Sequence, residues 1–309
     1  MSRRGGTIPG AGRLQVAAGL GTVASLLLAG CTGGQEGGAS AAGTVDPGMG
    51  HVHGLGLDPG TGDVLAATHT GLFRLAEGAE PVRVADRFQD TMGFTVDGDR
   101  LLGSGHPDPR DGLPAHLGLI QSADAGETWT ALSLQGEADL HALTVADGQV
   151  VGWDSISGAV LASDDGGSSW TSGATFDAVG DLAHLPDGAS VLVTTADGLL
   201  VSQDDGASFQ PFSPGPPSTL LHVDTIAGST GAGGADGAGG AGVMGIDTEG
   251  RAWGLTGEQW VELGTIGGPP AAFEVAPDGT LLAATEDEVL RSGDARTWTV
   301  LADLQGGDR

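Results

Sequence analysis

The stretch "SADAGETW", residues 122–129, returns as "SDDGGSSW" at 163–170 and as "SQDDGASF" at 202–209. All three read Ser-x-Asp-x-Gly-x-Ser/Thr-aromatic, and the third carries a second acid, Asp205, beside Asp204. A fourth copy, "SGDARTW" at 292–298, is one residue shorter and lacks the glycine. Each copy follows an apolar run ("HLGLIQS", "AVLAS", "GLLVS") that must stop and turn back. An Asp carboxylate can accept hydrogen bonds from the N–H groups of its own turn, and Gly takes the positive φ that such a turn requires. The aromatic residue then opens the next strand and packs between neighbouring units. This reading makes Asp124, Gly126, Trp129, Asp165, Gly167, Trp170, Asp204, Gly206 and Phe209 scaffold residues. A calcium loop is the rival for "SDDGGSS", but the alternating ligands and closing Glu of such loops are missing.

The aromatic residues Trp129, Trp170 and Phe209 are 41 and 39 residues apart. A period of about 40 residues is that of one four-stranded propeller blade. A second repeated signal supports the period. "LDPGTGDVLAAT", "TVDGDRLLGSG", "TVADGQVVGW", "HLPDGASVLVTT" and "VAPDGTLLAAT" each place an Asp- and Gly-bearing hairpin turn between two apolar strands. Together the signals predict an all-β, six-bladed β-propeller with four-stranded antiparallel blades over residues 49–304. The blades fall at about 51–86, 88–135, 138–176, 179–213, 218–266 and 270–304, with a short tail at 305–309. Both terminal blades are complete, so the ring is expected to close by blade packing. In blade 5 the hairpin position holds "GSTGAGGADGAGGAG", 228–242, a composition-biased insertion with nothing to pack.

The Ser-x-Asp-x-Gly turns resemble the Asp-box, or BNR, repeat of the sialidase-like and sortilin-like propellers. The resemblance covers most of residues 51–304 and implies architecture. It does not imply one function, because the fold serves many.

The first 31 residues read as an export signal. Arg3, Arg4 and Arg13 precede the apolar run "LQVAAGLGTVASLLLAG", too short and too glycine-rich for a membrane-spanning helix. "LAGC", Leu28–Cys31, ends in the only cysteine of the chain and resembles the lipobox of bacterial lipoproteins. That resemblance implies a signal peptide over 1–30 and lipidation of Cys31. It also implies anchoring to the outer face of the cell membrane, with the lipid bilayer as partner. Residues 31–48 then form a flexible Gly/Ser/Ala tether. With Cys31 lipidated no thiol is left for a disulfide, and the exported domain must stand on its core.

Charge and composition narrow the function. The chain has 40 acidic residues against 12 basic ones, all Arg, a formal net charge of −28. Nucleic acid would be repelled. There is no Tyr, so the Tyr nucleophile of sialidases cannot exist here. A two-carboxylate glycoside hydrolase is the enzymatic alternative. Its candidates at the channel mouth are Asp90, Asp181 and Glu286, with Asp139 and Asp224 also in reach, and no pair is singled out.

The blade register also sorts the histidines. Inner-strand starts and second-to-third-strand loops share one face, and seven of eight His map there, His184 excepted. "MGHVHGLG", 49–56, puts Met49, His51 and His53 at alternate positions, which an extended strand would direct to one side. His69, Met92, His106, His116, His141 and His222 are their expected neighbours. Imidazoles with thioethers suit copper, and imidazoles alone suit zinc. The overall expectation is a monomeric binding or scaffold module. Its ligand, a glycan, a protein or a Cu or Zn ion, would sit on the His-rich face.

Overall fold

The computed structural model describes residues 46–226 and 242–304. The expected signal segment, Cys31, most of the expected tether, the tail and all of the blade 5 insertion except Gly242 lie outside the described residues. Among the described residues, twenty-four strands form six antiparallel sheets of four, each built from consecutive strands. The fold is thus a six-bladed propeller. The innermost strands are β1 (Val52–Leu57), β5 (Asp90–Asp97), β9 (Leu140–Ala146), β13 (Asp181–His184), β17 (Leu220–Thr225) and β21 (Ala272–Val275).

Each blade is apolar on both faces of its inner strands, so its core is shared with the blades on either side. Six apolar clusters result, one per blade junction. Leu65, Leu72, Phe94 and Leu101 join blades 1 and 2. Leu102, Leu119, Leu140 and Val150 join blades 2 and 3. Similar sets follow around the ring. The last junction packs Val52, Leu55, Val64 and Phe73 of blade 1 on Leu282, Ala284 and Val289 of blade 6. The ring therefore closes through side chains, and no sheet is shared between its ends.

The Ser-x-Asp turns show how the repeat builds these junctions. In the first, Asp124 Oδ1 accepts from Thr128 N (2.8 Å) and from Ser122 Oγ (2.8 Å), while Ser122 Oγ accepts from Gly126 N (2.9 Å). The pattern repeats around Asp165 with Ser163, Gly167 and Ser169, and around Asp204 with Ser202, Gly206 and Ser208. At Asp294 the shorter turn uses Ala295 N and Thr297 N in the same roles. Gly126 has φ +89°, and an added Cβ would lie 2.3 Å from Leu72 Cδ2 of the preceding blade. Gly167 stands in the same relation to Leu119, also at 2.3 Å. The glycine thus provides both the turn and the close approach of one blade to the next. The residue before it is left-handed too (Ala125, Gly166, Asp205), a demand the repeat pattern does not display.

The inner strands crowd around the axis. A Cβ on Gly93 would sit 2.4 Å from Leu140 O, so this position on β5 admits only glycine if β9 is to lie where it does. Between the inner strands runs a channel of ≈ 620 Å³. All inner strands start at one end, the mouth, and run to the Asp-Gly turns at the other.

Candidate functional site

The mouth is assembled from the starts of β1, β5 and β9 and from the loops after the second strands of blades 1 and 2. It gathers six histidines around two aspartates. His53 Nε2 lies 3.2 Å from the His69 ring nitrogens, and His69 Nδ1 lies 2.9 Å from Asp90 Oδ1. The other oxygen of Asp90, Oδ2, is 3.2 Å from His106 Nδ1. On the far side of that ring, His106 Nε2 is 3.5 Å from Asp139 Oδ2. The same oxygen is 3.0 Å from His141 Nε2 and 3.7 Å from His116 Nδ1. His51 completes the rim, its ring centroid 4.9 Å from that of His53. A continuous chain of imidazoles and carboxylates therefore crosses blades 1 to 3.

Two donor sets within it are tight enough to hold an ion: His53, His69 and Asp90, and His106, His116 and Asp139, each with its donor atoms within 4.8 Å of one another. They differ in burial. His69 is exposed, whereas Asp139 is buried at 4% relative accessibility. Asp139 is fixed by its backbone, its N–H donating to Asp154 Oδ1 (2.9 Å) and its carbonyl accepting from Ser155 N (2.9 Å).

The electrostatics follow from crowding. Burial, then the charge of His69 and that of His51, push His53 down to about 4. His51 is lowered by burial and by His69 in the same way. Burial alone would raise the Asp139 carboxyl. The hydrogen bond from His141 and the charges of His141, His106 and His116 outweigh it and hold Asp139 below the ordinary value.

Not every expected residue joins this network. Met49 is buried (7%) in the junction between blades 1 and 6 and does not stand with the histidines. The expected Met-x-His-x-His alternation fails for a backbone reason. Gly48 and Gly50 have φ of +75° and +65°, so the chain turns there, and β1 begins only at Val52. His51 and His53 share a side, while the thioether goes to the core. Met92 is half-buried on β5. His222 pairs with Asp181 (His222 Nδ1 to Oδ2, 3.2 Å) on the channel wall of blades 4 and 5. Glu286 is an exposed acid that acts on His51 only through its charge. His184 is at the other end of the channel, against Thr144 Oγ1 (3.3 Å) and Gln149 Oε1 (3.2 Å).

Deeper in the channel a second group of acids stands on blades 4 to 6. Asp181 on β13, Asp224 on β17 and Glu274 on β21 all line it. Burial raises Asp224 to about 7, and the charge of Asp181 adds to this, although Val275 N and Thr225 N donate to its oxygens. Burial, Asp224 and Asp181 raise Glu274 well above the ordinary value. Glu274 was not among the sequence candidates, yet its position is readable. It lies between Phe273 and Val275, both in the core, so strand alternation turns it to the channel.

No protein-family model and no curated protein sequence matches this chain. Solved structures do. A gluconolactonase from Xanthomonas campestris, XC5397, superposes with TM-score 0.58 at 15% identity, over 83% of this chain and 87% of that one. A GH74 enzyme from Niastella koreensis gives TM-score 0.54 at 16% identity, over 82% of this chain and 45% of that one. The chain thus spans less than half the length of the GH74 enzyme. The WD40 β-propeller domain of Doa1 gives TM-score 0.54 at 12% identity, over 83% and 84% of the two chains. At these identities the likeness is one of fold, and it reaches enzymes and a WD40 domain alike.

Proposed function

We propose that this protein is an exported Asp-box propeller, held at the outer face of the membrane through lipidated Cys31, that works as a binding module. Its ligand seats at the channel mouth of blades 1 to 3. One observation carries this reading: six histidines and two aspartates from five separate chain segments converge into one network on one rim. A scaffold that needed only a polar surface would have no cause to collect imidazoles there. Ligand sites also favour such concave mouths. The lipid anchor rests on "LAGC" and the apolar run before it, and a binding module tethered by some seventeen residues could reach ligands near the membrane surface.

The histidine rings themselves report the test. In a ¹H–¹⁵N spectrum the eight imidazoles separate into six rim residues, His222 on the channel wall and His184 at the opposite end. Zinc ion, xyloglucan oligosaccharide and peptidoglycan fragments are the probes. Shifts at His53, His69, His106, His116 and His141 with His184 unmoved support the binding reading. If all three probes leave the rim rings unmoved, it fails. The hydrolase alternative has its own arm: turnover of xyloglucan that disappears in Asp224→Asn or Glu274→Gln would replace binding by catalysis. For the anchor, Cys31→Ser should abolish incorporation of labelled palmitate and release the protein from the membrane fraction.

A further inference from the structure

We infer that the inner donor set, His106, His116 and Asp139, is a transition-metal site fitted to zinc. The inference rests on the reading of the mouth as the ligand face and names the ligand. Four observations meet at this point. The first is spacing. Zinc–nitrogen and zinc–oxygen bonds of about 2.0–2.1 Å place the corners of a tetrahedron roughly 3.3–3.4 Å apart. Asp139 Oδ2 stands 3.5 Å from His106 Nε2 and 3.7 Å from His116 Nδ1. These separations exceed a good hydrogen bond and come close to the edges of a metal polyhedron.

The second is unsatisfied valence. His116 Nδ1 and Asp139 Oδ1 are buried polar atoms without a hydrogen-bond partner. Such atoms are rare in folded proteins, and a cation held between His116 and the Asp139 carboxylate would give His116 Nδ1 a partner. The outer set behaves differently. His53, His69 and Asp90 stand 2.9 to 3.2 Å apart and satisfy one another as hydrogen-bonded pairs.

The third is orientation from behind. Asp90 Oδ2 sits 3.2 Å from His106 Nδ1. A proton held between them leaves the Nε2 lone pair free to face Asp139. A carboxylate behind a ligating imidazole fixes its tautomer and raises its basicity. Asp90 is thus a positioning residue. The fourth is rigidity. The loop carrying His106 and His116 is tied by Leu117 N to Gly105 O (2.8 Å) and by Gly136 N to His116 O (2.9 Å). The Asp139 backbone is held on both sides.

The donor chemistry selects the metal. Met49 lies in the core, and two imidazoles with one carboxylate suit zinc. Three protein ligands leave one corner for water or for a group of a further ligand. His141 Nε2 lies 3.0 Å from Asp139 Oδ2.

The protein, stripped with EDTA and dialysed, is titrated with zinc ion by calorimetry. Its cobalt(II) form is followed by visible absorption, which distinguishes tetrahedral from octahedral coordination. One zinc per chain and a tetrahedral cobalt spectrum are expected. His116→Ala and His106→Ala should each weaken zinc at least 100-fold. Asp90→Asn should weaken it about 10-fold, the usual cost of losing a carboxylate behind a ligating histidine. His222→Ala should leave it unchanged. Circular dichroism and a cooperative melt show that each variant folds. His106 is the more exposed of the two imidazoles, so its variant stands in if the His116 variant does not fold. The inference is overturned if the wild type takes up no zinc, or if the histidine variants bind it as the wild type does. If zinc fails while a glycan probe still shifts the rim imidazoles, the binding reading survives and only the metal is lost.

Discussion

Two groups of ionisable residues share this channel, and the same architecture treats them in opposite ways. On the rim of blades 1 to 3, carboxylates and imidazoles alternate, and each Asp is surrounded by potential cations. On the wall of blades 4 to 6, Asp181, Asp224 and Glu274 face the channel, and His222 is paired to Asp181. Both groups start from inner-strand positions. The rim holds Asp139 ionised below its ordinary range, whereas the wall pushes Asp224 and Glu274 toward the neutral acid. A propeller supplies equivalent places, and the partners at each place decide whether a charge is an asset or a cost.

The largest effect that separates the two groups is expected at Asp139. Asp139→Ala removes the buried carboxylate that three half-buried imidazoles and Ser155 Oγ share. Loss of a buried, charged hydrogen-bonding centre costs about 2 kcal/mol or more. Urea unfolding in the presence of EDTA, which isolates the protein's own contribution from any metal, should show it. An unchanged midpoint would mean that the rim aspartate does not hold its neighbours together.

The wall predicts a smaller effect of opposite sign. Glu274→Gln keeps the shape and removes a charge that burial and two neighbouring acids oppose. At pH 8 the variant should be more stable than wild type by about 1 kcal/mol, since a raised carboxyl stabilises the fold only while it is protonated. At pH 4, where the wild-type Glu274 is already protonated, the two should melt together. Greater stability at both pH values would point to packing and away from charge.

How much of this was readable follows from what each feature depends on. The six blades were legible because each Ser-x-Asp turn and each Asp-Gly hairpin is a local device with local hydrogen bonds. The placing of the histidines on one face followed from that register. The identity of the partners did not. His106 and Asp139 are in different blades, and which imidazole meets which carboxylate oxygen depends on how adjacent inner strands stagger around Gly93. Met49 shows the limit clearly. Its alternation with His51 and His53 was real in the sequence, and two left-handed glycines cancelled it in space. Glu274 carried a local signal, a charge inside an apolar inner strand, and only its acid neighbours across the channel give it consequence.

The finest test sets the two groups against each other in one titration. His53 is lowered from its ordinary 6.5 to about 4. A base depressed in the fold binds its proton more readily when unfolded. Its contribution to stability is therefore present above 6.5 and lost as pH falls toward 4. Asp224 is raised from 3.8 to about 7, so its contribution is present below 3.8 and lost as pH rises toward 7. Between pH 4 and 6.5 the rim favours higher pH and the wall favours lower, and the slopes oppose. The wild-type melting temperature should change little there. His53→Gln should tilt the curve downward with rising pH, and Glu274→Gln, which lightens the acid load on the wall, should tilt it upward. Each tilt should be on the order of 1 kcal/mol across the window, and the double variant should be nearly flat again. Tilts in the same direction would show that rim and wall do not titrate as separate groups.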